Sequence, residues 1–288
     1  MSERPGAASV PARRCGVLGD PISHSLSPVL HRAGYAELGL EWSYDAHRVP
    51  AGGLEAFLAG LDEAWRGLSL TMPLKREALV LTDRLTDRAR LAGAVNTLLL
   101  GEGEGDTERV GDNTDLPGAA AAIRERTTAP LASAAILGGG ATATSIGLAL
   151  ADLGVTAVDL LVRDPARAAE TVDVLRAHPA GIEVRTGALD DNAAVLADIV
   201  VSTIPASAQT DGLVARCGGV PVVFEALYDP WPTPLAAAAM ASGRVLVGGL
   251  DLLVHQAALQ FELFTGVPAP LAVMREAGER ALAAQNPA

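Results

Sequence analysis

Lys75, in the segment GLSLTMPLKR (67–76), is the only lysine in the 288-residue chain, and the remaining 21 of its 22 lysines and arginines are arginine. Arginine keeps its proton at any workable pH, whereas a lysine can release its proton when its surroundings shift its pKa. A single lysine therefore suggests a site of proton transfer. On composition alone a codon bias that removed the other lysines is the simpler explanation, so the hypothesis depends on the rest of the chain.

A glycine-rich turn indicates a second kind of chemistry. The segment Gly138-Gly139-Gly140-Ala141-Thr142-Ala143 fits the pattern G-x-G-x-x-A and lies between a predicted strand and a predicted helix. Glycines allow a tight turn and a close approach of the backbone to a pyrophosphate, which the free N–H groups of the helix N-terminus then face. This context favours dinucleotide binding over a glycine turn that only permits close packing.

The end of the next predicted strand bears on which dinucleotide is bound. An acidic residue about 20 positions after the turn typically binds the ribose 2′-hydroxyl of NAD, whereas an arginine accommodates the 2′-phosphate of NADP. Here the strand is followed by Arg163-Asp164-Pro165-Ala166-Arg167. Arg163 and Arg167 favour NADP over the alternative of two solvated arginines. Asp164 leaves NAD open, because its carboxylate can repel a phosphate or bind a ribose hydroxyl.

Small polar residues interrupt apolar stretches in several places, as side chains that bind a polar ligand would. Ser27 and Asp115 have a simpler explanation as helix caps, and a buried amide such as Gln256 needs a hydrogen-bonding partner. None of them is diagnostic alone. The candidates are Ser25, Ser27, Asn96, Asp115, Tyr228 and Gln256.

The composition bounds the class of function. The net charge of −12 repels phosphate backbones and anionic membranes, so nucleic-acid and lipid partners are not expected, and an anionic ligand has to be met by local basic or N–H groups. Cys15 and Cys217 are far apart and the five histidines are scattered, so reduced thiols and no metal site are expected. The absence of a signal-peptide segment and of a run of about 20 apolar residues predicts a soluble, cytoplasmic protein.

The elements that must position these residues alternate between strands and helices, which is typical of an α/β fold with parallel sheets. In the first half we predict a helix over 27–38 with Ser27 as its cap, a helix over 53–65, a strand over 68–71 and helical turns through Leu91. Two further strands, 95–100 and 109–110, bracket a hairpin loop. We place one domain at 1–117, completed by C-terminal helices in 248–288, and a second at 118–247, because the latter already has six strands.

In their order along the chain these segments resemble the shikimate dehydrogenases, from about Cys15 to Gly266. The Ser-x-Ser, Thr-x-Pro-x-Lys and Asn-Thr-Asp elements ahead of a nucleotide-binding turn make a specific signature. The resemblance implies an N-terminal open α/β substrate domain beside a Rossmann NADP domain with a doubly wound parallel sheet, and a substrate between the two. The matching segments are PISHSLSP (21–28), SLTMPLK (69–75), AGAVNTL (92–98), GDNTD (111–115), LGGGATA (137–143), VRDPAR (162–167), LYDPWPTPL (227–235) and GGLDLLVHQA (248–257).

The resemblance also implies roles for single residues. Lys75 is expected to be the acid–base residue and Asp115 its partner. The expected ligands of the substrate carboxylate are Ser25, Ser27 and Tyr228, and those of the ring hydroxyls are Thr71, Asn96, Asp115 and Gln256. The expected cofactor contacts are Gly138, Gly139, Gly140, Ala141, Thr142, Arg163, Asp164, Arg167, Ala226 and Gly249, with Asp87 matching a cofactor-adjacent position of some members.

Three positions depart from the family pattern. Ser69 stands where the pattern N-V-T-x-P has Asn. The segment Gly140-Ala141-Thr142 replaces the usual G-G-A form of the turn, which bears on phosphate contact. Asp164 replaces the usual Thr after the arginine, which bears on cofactor preference.

The reaction implied by the resemblance is 3-dehydroshikimate + NADPH ⇌ shikimate + NADP⁺, a step of chorismate and aromatic amino acid biosynthesis, carried out by a monomer or a homodimer. Two alternatives stay open. A quinate/shikimate dehydrogenase that uses NAD or NADP is the nearer one, although Ser27 in place of Thr favours shikimate. A non-catalytic nucleotide sensor is the other, and it predicts the loss of Lys75 or Asp115, which are both present.

Overall fold

The computed structural model describes residues 12–101 and 107–285, which contain two six-stranded sheets. The strands of the first sheet are β1 (Arg14–Gly19), β2 (Ser43–Arg48), β3 (Trp65–Leu70), β4 (Arg84–Leu85), β5 (Thr97–Leu100) and β6 (Arg109–Asp112). Their order across the sheet is β2-β1-β3-β5-β6-β4, with β5 antiparallel to β3 and β6 and the other neighbours parallel. The helices of this half are α1 (Ser27–Glu37), α2 (Leu54–Ala59), α3 (Asp87–Ala92) and a 3₁₀ turn (Glu77–Val80).

The second sheet is entirely parallel. Its strands are β7 (Ser133–Leu137), β8 (Ala157–Val162), β9 (Glu183–Ala188), β10 (Ile199–Ser202), β11 (Val222–Glu225) and β12 (Val245–Val247). The order β12-β11-β10-β7-β8-β9 is that of a doubly wound sheet. The chain adds strands on one side from β7 to β9 and then on the other side from β10 to β12, so the order of the strands switches between β7 and β10. The predicted Rossmann-type α/β class is therefore confirmed.

The described part of the chain contains seven further helices. They are α4 (Asp115–Arg126), α5 (Ala141–Asp152), α6 (Pro165–Arg176), α7 (Asp211–Arg216), α8 (Pro234–Ala241), α9 (Gly249–Thr265) and α10 (Leu271–Gln285), with a 3₁₀ turn at Ala206–Ala208. The central strands β10 and β11 are buried along their whole length, as the unbroken apolar runs IVV and VVF require in a sheet covered on both faces. No helix among the described residues is both long and apolar enough to cross a membrane.

The last two helices pack against the first half of the chain. Val254, Phe261 and Phe264 of α9 belong to the same apolar core as Val17 of β1 and Leu30 of α1. The α10 helix packs along α1, and α9 also contacts α4. The helix α9 stops at Gly266, which takes the left-handed conformation that its sequence position predicts.

Local details of the first half differ from the sequence predictions. Ser27 is not the cap of α1, because Leu26 already has helical dihedrals and stands at the cap position. The helix predicted over 53–65 ends at Ala59, and Trp65 instead begins β3, since its backbone pairs with Arg14 of β1. The region predicted as helical turns contains the short strand β4, which pairs with β6. The loop of the predicted hairpin lies partly outside the described residues.

A charged cluster anchors the N-terminus of α9 to its neighbours. Asp251 accepts hydrogen bonds from the Gly248 amide (2.9 Å), from Arg126 of α4 (2.6 and 3.1 Å) and from Arg275 of α10 (2.8 Å). Burial opposes the ionisation of Asp251, but these donors outweigh it and hold its pKa below the usual range. Arg275 also donates to Glu125 (2.6 Å), which extends the cluster along α4.

We predict that Asp251→Asn lowers the free energy of unfolding by about 2 kcal/mol at about pH 7, because charge-assisted hydrogen bonds are lost. A carboxylate with a depressed pKa stabilises the fold above the unfolded pKa of about 3.9, and loses that effect as the pH falls through its folded pKa. The deficit should therefore shrink below about pH 4. Urea denaturation at several pH values measures it, with Glu276→Gln in an exposed ion pair of α10 as the control. An equal deficit at about pH 7 and about pH 3.5 would contradict the prediction.

Candidate active site

A pocket of about 380 Å³ lies between the two halves of the chain, within the size range of small-molecule sites. Most of its walls come from the segments that follow β1, β3 and β11 and from α9. The eight side chains predicted to bind substrate or catalyse the reaction all line it. They are Ser25, Ser27, Thr71, Lys75, Asn96, Asp115, Tyr228 and Gln256.

Lys75 reaches this pocket from a turn that follows β3. The turn is closed by a hydrogen bond from the Leu74 amide to the Thr71 carbonyl (2.8 Å), and the Val95 amide holds the Lys75 carbonyl (2.8 Å). The Lys75 ammonium lies 2.6 Å from the Asp115 carboxylate, and both side chains are largely buried, with exposed fractions of 14% and 8%. The structure therefore brings the predicted acid–base residue and its predicted partner into direct contact.

Asp115 is the first residue of α4, where the helix N-terminus favours a negative charge. Its carboxylate does not cap the helix, so the simpler explanation of this residue as a cap does not describe it. One oxygen accepts from Lys75, and the other accepts from Asn96 Nδ2 (2.8 Å). Asn96 is held in turn by the Thr114 amide, which donates to Asn96 Oδ1 (2.7 Å). The carboxylate is thus fixed on both sides.

Three hydroxyl groups gather at another part of the pocket. Ser25 accepts a long hydrogen bond from the Ser27 amide (3.4 Å), and Tyr228 interacts with Ser25 and with the backbone of Leu26. Burial raises the pKa of Tyr228, which keeps its hydroxyl neutral and able to donate. Neutral hydroxyl donors of this kind can hold a carboxylate without a cationic side chain.

The three glycines of the turn between β7 and α5 have different surroundings. Gly138 has a φ of +106°, and a Cβ there would lie 2.5 Å from Thr203 Oγ1. A Cβ on Gly139 would lie 2.6 Å from the Cβ of Ala168 on α6. At Gly140 the same construction meets nothing within 4 Å, so this face of the turn is open. A helix N-terminus beside an open glycine face fits a pyrophosphate.

The other predicted cofactor residues are divided between the pocket and the surface. Thr142, Ala226 and Gly249 line the pocket, and Ala141 begins α5 at its edge. Arg163 and Arg167 are exposed after β8, and no ion pair or hydrogen bond engages either guanidinium within the described residues.

Asp164 is engaged locally rather than projected toward a ligand. Its carboxylate caps α6 by accepting from the Ala166 amide (3.0 Å). Asp87 lies on α3, where its side chain is fully exposed and pairs with Arg90 (2.7 Å).

Comparison with known proteins identifies the family of this chain. The model of the shikimate dehydrogenase substrate binding domain matches residues 17–98, and that of the shikimate 5′-dehydrogenase C-terminal domain matches residues 249–277. The shikimate dehydrogenase (NADP(+)) of Symbiobacterium thermophilum is 33% identical over 301 residues, which cover 99% of this chain and 100% of that protein. This chain belongs to the shikimate dehydrogenase family. The resemblance predicted from the sequence motifs is confirmed.

Solved structures of shikimate dehydrogenases share the fold. The Mycobacterium tuberculosis enzyme is 41% identical and superposes with a TM-score of 0.82, covering 94% of this chain and 99% of that one. The Thermus thermophilus enzyme, solved in complex with NADP(H) and shikimate, is 31% identical with a TM-score of 0.77, covering 93% of this chain and 99% of that one.

Against the shikimate dehydrogenase pattern, the unusual Ser69 has a clear structural context. It lines the pocket, accepts a hydrogen bond from the Tyr44 hydroxyl (2.5 Å) and donates one to Gln260 Oε1 (2.7 Å). Gln260 lines the pocket too, and sequence reasoning missed it. The signal was its position one helical turn after Gln256, which places both amides on one face of α9.

A pair of pocket residues was missed as well. His24, which follows β1, lies 3.3 Å from Asp229, which follows β11, so the pair joins the two halves beside the pocket. The two residues are 205 positions apart in the sequence (229 minus 24), and no local pattern relates them. Only the arrangement of the two sheets brings them together.

We predict that Gly140→Ala leaves the thermal stability of the protein unchanged but weakens NADPH binding about tenfold or more. The added methyl group meets no protein atom, yet it occupies the face that a pyrophosphate would approach. Thermal denaturation and a fluorescence titration with NADPH measure the two effects. Gly219→Ala is the matched control, because a Cβ there also meets nothing within 4 Å. Equal NADPH affinity in the wild type and Gly140→Ala would exclude this face from the binding site.

Proposed function

We propose that this chain catalyses the reversible, NADP(H)-dependent interconversion of 3-dehydroshikimate and shikimate, a step of chorismate and aromatic amino acid biosynthesis. The observation that carries the proposal is the 2.6 Å contact between Lys75 and Asp115, inside a pocket that Thr142 of the dinucleotide turn also lines. Membership of the shikimate dehydrogenase family supports the choice of substrate.

Lys75 and Asp115 have complementary roles in this mechanism. The bound dinucleotide supplies the hydride for the carbonyl carbon of the substrate. The Lys75 ammonium stabilises the negative charge that develops on the carbonyl oxygen and then donates its proton to it. In the reverse direction neutral Lys75 accepts the proton of the alcohol. Asp115, held by Asn96, orients the ammonium toward the substrate.

The substrate is bound by groups that suit an anionic polyol. The hydroxyls of Ser25, Ser27 and Tyr228 are the proposed ligands of its carboxylate. The side chains proposed to bind the ring hydroxyls are Thr71, Asn96, Asp115 and Gln256. Because the chain as a whole carries a charge of −12, this local set of donors has to supply the attraction for the anion.

The proposed cofactor is NADP. The open face at Gly140 and the N-terminus of α5 fit the pyrophosphate, and the guanidiniums of Arg163 and Arg167 are available for the 2′-phosphate. Asp164 accepts from the backbone of α6, which satisfies part of its carboxylate and lessens its conflict with a phosphate. The backbones of Ala226 and Gly249 are proposed to face the nicotinamide.

We propose that the chain is divided into a substrate domain and an NADP domain. The substrate domain comprises 1–117 with 248–288, and the NADP domain comprises 118–247. This division agrees with the separation of the chain into two sheets and with the packing of α9 and α10 on the first half. We propose a soluble, cytoplasmic enzyme that acts as a monomer or homodimer, since one chain supplies the whole pocket lining.

We predict that Lys75→Arg retains the fold and shikimate binding but lowers kcat about a hundredfold or more, the usual scale of general acid–base catalysis. The charge persists, but an arginine cannot cycle its proton. Oxidation of shikimate with NADP⁺, followed by the absorbance of reduced nicotinamide, gives kcat. Lys75→Arg/Arg76→Lys is the sharper variant, because it moves the lysine by one position and should stay slow, whereas Arg76→Lys alone should behave as wild type. Turnover near wild type in Lys75→Arg would refute the role.

The same assay separates the alternatives. Wild-type protein is offered shikimate or quinate with NADP⁺ or NAD⁺. Faster turnover with quinate and NAD⁺ would favour a quinate dehydrogenase, and no turnover with any pair would favour a nucleotide sensor.

We predict that Arg163→Ala raises the KM for NADP⁺ about tenfold and leaves the KM for NAD⁺ within about twofold. The loss of one hydrogen-bonded charge pair with a phosphate corresponds to about 1.5 kcal/mol or more, which is about a tenfold change. Steady-state kinetics with each dinucleotide measures the shift. Arg124→Ala removes an exposed arginine of α4 as the control. A parallel rise for NAD⁺ and NADP⁺ would show that Arg163 does not read the 2′-phosphate.

A further inference from the structure

Glu225, at the end of β11, is a buried carboxylate that the proposed reaction does not use. Its exposed fraction is 0%. One oxygen accepts from the Leu227 amide (3.1 Å), and the other accepts from Gln209 Nε2 and Thr233 Oγ1 (2.7 Å each). Burying a carboxylate costs free energy unless hydrogen bonds compensate for the lost water. Burying the Glu225 carboxylate is therefore costly in free energy, and its presence needs an explanation beyond filling space.

The hydrogen bonds of Glu225 hold both ends of one segment, residues 226–233, which we call the 226–233 loop. Leu227 is its second residue and Thr233 its last. Thr233 also caps α8 by accepting from the Ala236 amide (3.2 Å). A single carboxylate therefore fixes the exit from β11 relative to the entry into α8.

The 226–233 loop carries side chains of both proposed binding sites. Ala226, Tyr228 and Asp229 all line the pocket. The loop also packs on the start of α9, where a Cβ on Gly249 would collide with the Leu227 carbonyl. A shift of this loop would move the proposed carboxylate ligand Tyr228 and the proposed nicotinamide neighbour Ala226 together.

We propose that Glu225 is a positioning residue for the reaction, holding the 226–233 loop so that Tyr228 meets the substrate and Ala226 meets the cofactor. The inference rests on the function proposed above for these two residues. Glu225 itself does not line the pocket and acts only through the loop.

The geometry requires a carboxylate rather than an amide at this position. Gln209 cannot turn its amide around without loss, because its Oε1 accepts from the Leu235 amide (2.9 Å). Its NH₂ group therefore faces position 225, together with the Leu227 amide, and only an acceptor-only side chain satisfies all of them. Burial raises the pKa of Glu225, and the surrounding donors oppose this rise.

The test begins with Glu225→Gln, which keeps the shape but, whichever way its amide is oriented, turns an NH₂ group toward either the NH₂ group of Gln209 or the Leu227 amide. We expect the KM for shikimate to rise about tenfold, because moving a binding group such as Tyr228 by about 1 Å or less has effects of this order. Asp198→Asn is the matched control. Asp198 accepts from the Ala132 and Ser133 amides (2.9 Å each) where the central strands β7 and β10 begin, at the end of the strands opposite Glu225, so its loss should lower stability and leave KM unchanged.

A swapped pair provides the rescue. In Gln209→Glu/Glu225→Gln the amide at 225 can donate to the carboxylate at 209, which can still accept from Leu235, while the hydroxyl of Thr233 turns to accept. Recovery of the wild-type KM in the swap supports the proposal. Recovery of the thermal stability without recovery of KM would overturn it, as would a KM and kcat of Glu225→Gln within twofold of wild type.

A measurement independent of activity separates this inference from the proposed function. The chain has three tryptophans, and Trp231 lies within the 226–233 loop. In protein labelled with fluorotryptophan, Glu225→Gln should shift the ¹⁹F resonance of Trp231 and leave those of Trp42 and Trp65 in place. An unchanged Trp231 resonance would overturn the proposal. If Glu225→Gln shifts the Trp231 resonance but the wild type oxidises no shikimate, Glu225 does fix the position of the loop and only the proposed function is refuted.

If Glu225→Gln does not fold, Thr233→Val tests the same hold at one end of the loop. Thr210→Val is its control, because Thr210 caps α7 in the same way but is not bonded to Glu225. A rise in KM for Thr233→Val alone supports the proposal, and equal KM values for the two variants would overturn it.

Discussion

The contact between Lys75 and Asp115 is the constraint on which the rest of the site depends. It joins the turn after β3 to the first residue of α4, 40 positions later in the chain. Two charges removed from water are stabilised only when further hydrogen bonds satisfy them, and Asn96 supplies one to the second oxygen of Asp115. The helix α4 packs against both α5 and α9, so the place of the ion pair follows from how the two halves of the chain meet. The position of the Lys75 ammonium is therefore linked to the packing of three helices.

Electrostatics explains why so few cations are needed. A chain with a net charge of −12 has no general attraction for an anionic substrate or a dinucleotide, so the attraction has to be local. Neutral hydroxyls, such as that of Tyr228, can bind a carboxylate without adding a buried charge that needs its own partner. Backbone N–H groups at the start of α5 can likewise bind a pyrophosphate without a buried cation. Lys75 is then left for the proton transfer that we propose for it.

Features that obey local rules could be predicted from the sequence. The glycine turn of 138–143, the left-handed stop at Gly266 and the alternation of strands and helices all follow from short-range sterics and periodicity, and the structure has them. Features that depend on packing could not. The segment 53–65 has a helical pattern, but pairing with β1 draws Trp65 into a strand. In the sequence Glu225 is one acidic residue at a strand end, and only the fold surrounds it with donors from two segments, Gln209 and the 226–233 loop.

The departure at Ser69 shows how a substitution at one position is accommodated by others. A serine is shorter than the asparagine of the family pattern, yet it remains connected, because Tyr44 donates to Ser69 and Ser69 donates to Gln260. Gln260 Nε2 in turn donates to the Asn96 carbonyl (3.1 Å), and Asn96 holds Asp115. The chain of hydrogen bonds thus runs from the first sheet through α9 to the ion pair. Because α9 comes from the far end of the sequence, this hydrogen-bonded chain is complete only once that helix packs on the first half.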